Sequence, residues 1–334
     1  MDVYILGMAY PGEPLSPFVV ESGGGAAVPA LSPLAIKRWI AIEMRRLREA
    51  APREDGPPGV DVAEAAQRIG KAKTVVHHIE TGRNLPAPAD LEVLLNLYGV
   101  PERTPFFREL VKTAKRGKDW WVNGFDTVVP EWFTLYLGLE SAAARISRYD
   151  ALWIPGPFQT RPYAEALYRA RALPPAYDED PVAAAAKAEE EMTKAVDLRM
   201  ARQKLREESE HPSEIRCVLD QNALDRAVGG AEVMIPQLDR LAELAESPGI
   251  TVQILVHAAG AHAGAEGTFA ILDYPDEFEG DPGTAYVDTL PRGLYYERPD
   301  EVDRYRRVFQ RLTEQAEDPD RTLELISTAK KELT

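Results

Sequence analysis

Residues 62–83 read VAEAAQRIGKAKTVVHHIETGR, and six of their side chains stand out by type and spacing: Lys71, Lys73, Thr74, His77, His78 and Arg83. Lysine and arginine neutralise phosphate, and threonine bonds to phosphate or to a base edge. Histidine bonds to a base edge while neutral and to phosphate when protonated. Val75, Val76 and Ile79 recur among them at helical spacing and face inward. The polar groups are thereby left on the outer face of one short helix, whose first-turn N–H groups suit an anion. Ala66 is small where two helices would cross, and Gly70 falls in a turn where a bulky side chain would be crowded. This is the pattern of a helix-turn-helix whose second helix can lie in a major groove. A helical bundle that docks on another protein shares the spacing, so the pattern alone leaves both readings open.

A second group of candidates lies further along. Gln159, Thr160 and Tyr163 follow the Pro-Gly turn of WIPGPFQT, where they either line a polar pocket or cap the next helix. His257 and His262 stand five residues apart in HAAGAH, a Gly/Ala-rich stretch after a strand. A plain loop, a pocket wall and a metal site are the three readings. A metal needs more ligands, such as an HExxH helix or paired cysteines, and the sequence has neither. It has no Walker loop, no GxGxxG after a strand and no GxSxG turn. No enzyme activity, metal or cofactor is therefore expected. The single cysteine, Cys217, excludes an intramolecular disulfide and suits a reducing cytosol. No apolar run approaches the roughly 18–20 residues that span a bilayer, and the N-terminus lacks a basic n-region. These features point to a cytoplasmic chain without a membrane partner.

The elements that position these residues are legible in outline. Residues 1–30, ending in ESGGGAAVPA, read as a flexible N-terminal arm. From Ser32–Pro33, a cap and first-turn pair, Ile36, Ile40, Met44 and Leu47 follow helical spacing until APREDGPPG ends the run. Short helices follow over Val62–Ile69, over the HHIETGR segment and after Asp90, which is placed as a cap. Residues 31–118 thus form an all-α domain. DWWVNGFDTVVPEWFTLYLGLE then gathers three of the five tryptophans, as a hydrophobic seam or a ligand-stacking platform. Residues 139–150, 162–172 and about 181–208 read as helices, the acids of 178–191 forming a solvated face. EIRCVL, ITVQILV, GTFAILDY and TAYVDTL read as strands. The first two are separated by a crossover length of helical sequence and suit parallel neighbours, the later ones hairpins or a meander. Two helices, about 299–316 and 319–332, close a larger α+β domain over residues 119–334.

Charge divides the chain in the same way. The formal total is −15, but residues 31–118 carry 16 Lys/Arg against 11 Asp/Glu, while the remainder is strongly acidic. DNA affinity depends on local neutralisation of phosphate, so the basic segment matters more than the total.

Residues 35–100 resemble the helix-turn-helix of Cro/repressor-type (XRE) regulators, with Ile79, Glu80, Gly82 and Arg83 matching that family's Ile-Glu-x-Gly-Arg signature. The resemblance implies that Glu80 pairs with an arginine of the first helix, Arg45 or Arg48. Two positions depart from it. Ala72 stands where Ser or Thr usually caps the recognition helix, which forgoes roughly 1 kcal/mol, and the turn after the first helix is longer. Over about 120–330, LGLESAAARISRYDALWIPGPFQTRPYAEAL, RMARQKL, MIPQLDRLAELA, VQILVHAAGAHAGAEGTFAIL and AYVD resemble, in order, the C-terminal domain of actinobacterial WhiJ-like regulators. PGPFQT departs from that family's Pro-Gly-Leu-Leu-Gln-Thr. This resemblance implies a small acidic partner protein encoded nearby, in an antitoxin-like or developmental module. The expectation is a homodimeric transcriptional regulator binding double-stranded operator DNA, with an N-terminal helix-turn-helix domain and an α+β domain that senses a partner or small-molecule effector. The alternative is an antitoxin-like interaction module without sequence-specific DNA binding.

Overall fold

Ser32 and Pro33 open the first helix, α1 (Pro33–Ala50), with the Ser32 hydroxyl accepting from the Ala35 N–H at 3.4 Å. The computed structural model describes residues 32–53, 56–122, 125, 129–171, 181–276, 278, 280–289 and 292–333. The arm expected over residues 1–30 lies outside them. After α1 come α2 (Val62–Arg68), α3 (Lys73–Glu80), α4 (Pro88–Leu97) and α5 (Thr104–Arg116). They close on Ile36, Trp39, Ile40, Met44, Val76, Ile79, Leu91, Leu94, Leu95 and Phe107, all buried. Val75 is only half-buried. Gly70 has open space around the position of a Cβ; its φ of +65° is what favours glycine, so backbone conformation and not crowding accounts for it. Asp90 is not a cap. Pro88 starts α4 after Ala87, and Asp90 sits one turn in, buried and paired with Lys71.

The second domain is built on a six-stranded sheet. Its strands are β1 (Arg145–Asp150), β2 (Glu214–Asp220), β3 (Ile250–Leu255), β4 (Phe269–Asp273), β5 (Thr284–Asp288) and β6 (Gly293–Tyr296). They lie in the order β3-β2-β1-β4-β5-β6. β2 and β3 are parallel, as their crossover suggested, and both run parallel to β1. β4, β5 and β6 form the antiparallel meander. The helices are α6 (Glu131–Ala142), α7 (Arg161–Arg171), α8 (Pro181–Glu207), α9 (Asn222–Asp225), α10 (Ala231–Ala245), α11 (Pro299–Gln315) and α12 (Pro319–Glu332). α6, α7, α10 and α12 cover one sheet face, where Leu139, Tyr163, Leu238, Leu241 and Ile326 meet Ile215, Cys217, Leu219, Val252 and Ile254. α11 covers the other, where Val302 and Leu312 meet Tyr149, Val218, Leu255 and Ile271.

The helix expected over 139–150 ends at Ala142, and residues 145–150 form a central strand instead. RISRYD is too charged to read as a buried strand. Its charges are tolerated because Arg148 and Asp150, two apart and so on one face, bond each other at 2.6 and 2.8 Å. β6, only four residues long, was not expected either. The tryptophan-rich run acts as a seam: Trp121 is buried with Val129, Leu137 and Leu198, and Phe133 stacks on Tyr136 at 5.2 Å.

α1 belongs to both domains. Trp39 packs on Phe278, from the β4–β5 connection, with ring centroids 5.5 Å apart. Beside it Arg38 is buried, bonding Asp281 at 2.6 Å, the Glu297 carboxylate and, at 3.4 Å, the Gly283 carbonyl, with Tyr274 5.1 Å from its guanidinium. Burial acts to lower its pKa, but Tyr274, Asp281 and Glu297 together outweigh that and raise it. Arg38→Met should leave the Asp281 carboxylate, 2 % exposed, without its cation and destabilise the protein by about 3–5 kcal/mol. Calorimetry should then resolve two unfolding transitions; one unshifted transition would contradict the shared-helix account.

Candidate nucleic-acid interface

α3 is held from behind. Val76 and Ile79 are buried against α1 and α2, and Arg48 bonds Glu80 at 2.6 and 3.0 Å with both side chains largely buried. Of the two arginines implied, Arg48 is the partner; Arg45 instead pairs with Glu49 on its own helix. The hydrogen bond and charge of Glu80 raise the Arg48 pKa despite burial. Glu80 is therefore a framing residue, facing away from the surface that α3 presents.

On that surface Lys73, Thr74 and His77 are exposed and His78 half-buried. Arg83 lies just past the helix, its guanidinium 3.2 Å from the His78 ring. Five of the six candidates thus lie on or just beyond α3, Lys73 and Thr74 at its N-terminal end and Arg83 past its C-terminal end. Lys71 is nearby, but its ammonium pairs with Asp90, which reduces the charge it offers to a phosphate. Ala72, the residue before α3, makes no side-chain cap. The first-turn N–H groups are thus left to solvent or to a bound anion.

Two further cations were missed in the sequence. A groove of about 430 Å³ beside α3 is lined by Lys37 of α1 and Lys115 of α5, together with Lys71, Arg83 and Asn84. Among the described residues no carboxylate lies within 4.0 Å of Lys37, Lys73 or Lys115. The basic run VKTAKRGK was the available signal for Lys115; for Lys37 there was none, because only the fold brings α1 alongside. Helix N-terminus, exposed donors and flanking cations together match the anionic edge of a duplex.

The candidates in the second domain separate into two places. Gln159 is buried, donating to the Ile154 carbonyl at 2.6 Å and accepting from Arg199. The Thr160 hydroxyl accepts from the Tyr163 N–H at 3.4 Å, capping α7, and the Tyr163 hydroxyl accepts from the Ile154 N–H at 3.2 Å. Their polar groups serve the loop itself. His257 and His262 instead converge on Asp220 at the end of β2, at 4.0 and 3.9 Å. Tyr149 donates to the same carboxylate at 3.4 Å. No group of side chains suited to a metal occurs among the described residues, and none of their helices is long and apolar enough to cross a membrane.

This architecture defines a helix-turn-helix protein with an α+β C-terminal domain. Residues 39–104 match the helix-turn-helix domain family. Residues 133–328, more than half of the chain, match the family described as a domain of unknown function (DUF5753), and the chain belongs to it. No curated protein and no solved structure matches the chain.

Ala72→Ser should supply the missing cap and raise stability in urea unfolding by about 1 kcal/mol; a loss would show that the α3 terminus is already satisfied. At α2 the reverse holds. The Glu64 and Ala63 N–H groups keep the Asp61 carboxyl below the usual carboxylate range. A depressed value contributes stability above the unfolded pKa of about 4 and loses it as pH falls through the folded one. The deficit of Asp61→Ala at pH 7, read from urea midpoints, should therefore shrink by pH 3.

Proposed function

We propose that the protein is a DNA-binding transcriptional regulator of the Cro/repressor type, with α3 as its reading helix. The observation that carries this is the set of exposed donors Lys73, Thr74, His77 and Arg83 along and just beyond a helix whose N-terminus has no side-chain cap, flanked by Lys37 and Lys115, which have no carboxylate within 4.0 Å among the described residues. Lys73, Thr74 and His77 reach base edges, and Arg83, Lys37 and Lys115 hold phosphates on either side. Two copies related by a two-fold axis would present two α3 helices to successive major grooves. The C-terminal domain responds to a small acidic partner protein or a small-molecule effector, as in WhiJ-like regulators, and performs no catalysis. Its acidity repels DNA, weakening non-specific binding and turning the basic face toward the duplex.

A second reading draws on the pairing of Lys71 with Asp90 and the missing cap at Ala72. In it the helical domain serves only protein contacts, in an antitoxin-like module. Gel shift with the region upstream of the protein's own gene separates the two. Lys73→Ala, His77→Ala and Arg83→Ala should each weaken the shift about tenfold, at 1–3 kcal/mol per contact, with circular dichroism unchanged. Loss of a phosphate contact should also reduce the salt slope by about 0.9. Lys71→Ala should have the smallest effect. A shift indifferent to all four substitutions would overturn the assignment of α3 as the reading helix, and the absence of any shift would favour the second reading.

A further inference from the structure

A second groove, of about 470 Å³, runs beside α1 where the two domains meet. Its volume is that of a small-molecule site, and domain junctions are a preferred place for one. Five charged side chains line it: Lys37, Arg38, Glu80, Asp119 and Glu297. Three of these are already paired. Arg38 is held by Asp281 and Glu297, and Glu80 by Arg48. Lys37 and Asp119 are left. Among the described residues Lys37 has no carboxylate within 4.0 Å, and Asp119 has no lysine, arginine or histidine nitrogen within that distance. The Asp119 carboxylate accepts from the Ser32 hydroxyl and the Leu34 N–H, and a carboxylate can take further donors. Burial pushes its carboxyl up against those two bonds, the behaviour of an anion without a cation beside it.

The rest of the lining is largely apolar. Leu34 and Ile42 come from α1, Ala114 from α5 and Leu135 from α6, all half-buried. A molecule that matches the groove therefore carries one negative group, one positive group and an apolar body. A wholly apolar occupant would cover both charges without pairing either. A simple anion would pair Lys37 and be repelled by Asp119. Lys37 also lines the groove beside α3, so one ammonium faces two grooves. A carboxylate bound in the second competes with a phosphate bound in the first.

We infer that this groove binds a small zwitterion with an apolar side chain, a free amino acid or short peptide. Its carboxylate sits on Lys37, its ammonium on Asp119, and its side chain against Leu34, Ile42 and Leu135. Once bound it withdraws Lys37 from the duplex, and DNA weakens its binding by the same factor in return. The site rests on its own lining; only its effect on DNA rests on the regulator reading.

The test uses the full chain without DNA, with leucine and leucyl-leucine as probes. At least one should raise the melting temperature saturably, and the more effective of the two shows which length the groove takes. Glycine, with the same charges and no apolar body, should not. Isocaproate, which lacks the ammonium, and isoamylamine, which lacks the carboxylate, should each need at least about tenfold more than leucine, as a lost charge-assisted contact requires. Lys37→Met and Asp119→Asn should raise the half-saturating concentration by the same factor, whereas Lys73→Ala, outside the groove, should not change it. Should Asp119→Asn fail to fold, Ala114→Trp fills the groove without touching either charge and should abolish the response. In gel shift, saturating probe should weaken the complex with the upstream region and reduce its salt slope by about 0.9; Lys37→Met should remove both effects. No saturable response, an equal response to leucine and its two half-probes, or one that survives Lys37→Met and Ala114→Trp would overturn the site. A DNA shift indifferent to bound probe would overturn the withdrawal of Lys37. A chain that takes the zwitterion but never shifts the upstream DNA would remove the regulator reading and leave this site standing.

Discussion

Arg38 is a cation buried where two hydrophobic cores meet, and the arrangement of the molecule follows from how it is satisfied. Removing a guanidinium from water costs several kcal/mol unless opposite charge and hydrogen bonds surround it. Asp281, Glu297 and the Gly283 carbonyl do so from the second domain. The neighbouring residues of the same helix, Ile36, Trp39 and Ile40, are core of the first. α1 is thus shared, and α3 is tied to it by the buried Arg48–Glu80 pair. The face carrying Lys73, His77 and Arg83 is oriented relative to the sheet through one helix and two buried ion pairs.

The β5 strand begins at the joint between the two domains. Gly283, just before it, accepts from Arg38 through its carbonyl. β6 runs beside it and leads directly to Glu297, another Arg38 partner. Spatial continuity of this kind is not coupling in itself. It does mean that anything altering the twist of β5 and β6 works on the groups that hold α1.

Most elements were legible because their residues follow one period and end in recognisable stops. Pro33 and Gly82 mark helix boundaries, and ITVQILV is a short β-rich run bounded by turn residues. The failures share a cause. RISRYD does not read as a buried strand, which is expected to be apolar, and the Arg148–Asp150 pair that makes it tolerable appears only once a pleat puts them on one side. Asp90 reads as a cap, and its actual role depends on Lys71, nineteen positions away. In the candidate interface, residues within one helix could be grouped by spacing. Lys37 and Lys115 could not, since they come from helices far apart in sequence.

The segment matching the helix-turn-helix family starts at residue 39, inside α1, and the segment matching the second family starts at residue 133, inside α6. Arg38 falls outside both, one position short of the first. A recombination that exchanged helix-turn-helix heads at the matched boundary would cut α1 and pair a foreign helix with the old Asp281. The inheritable unit is therefore larger than either matched segment: it includes the whole of α1 together with the β4–β5 connection. Chains that traded only the matched portion would inherit a buried carboxylate whose cation stayed behind.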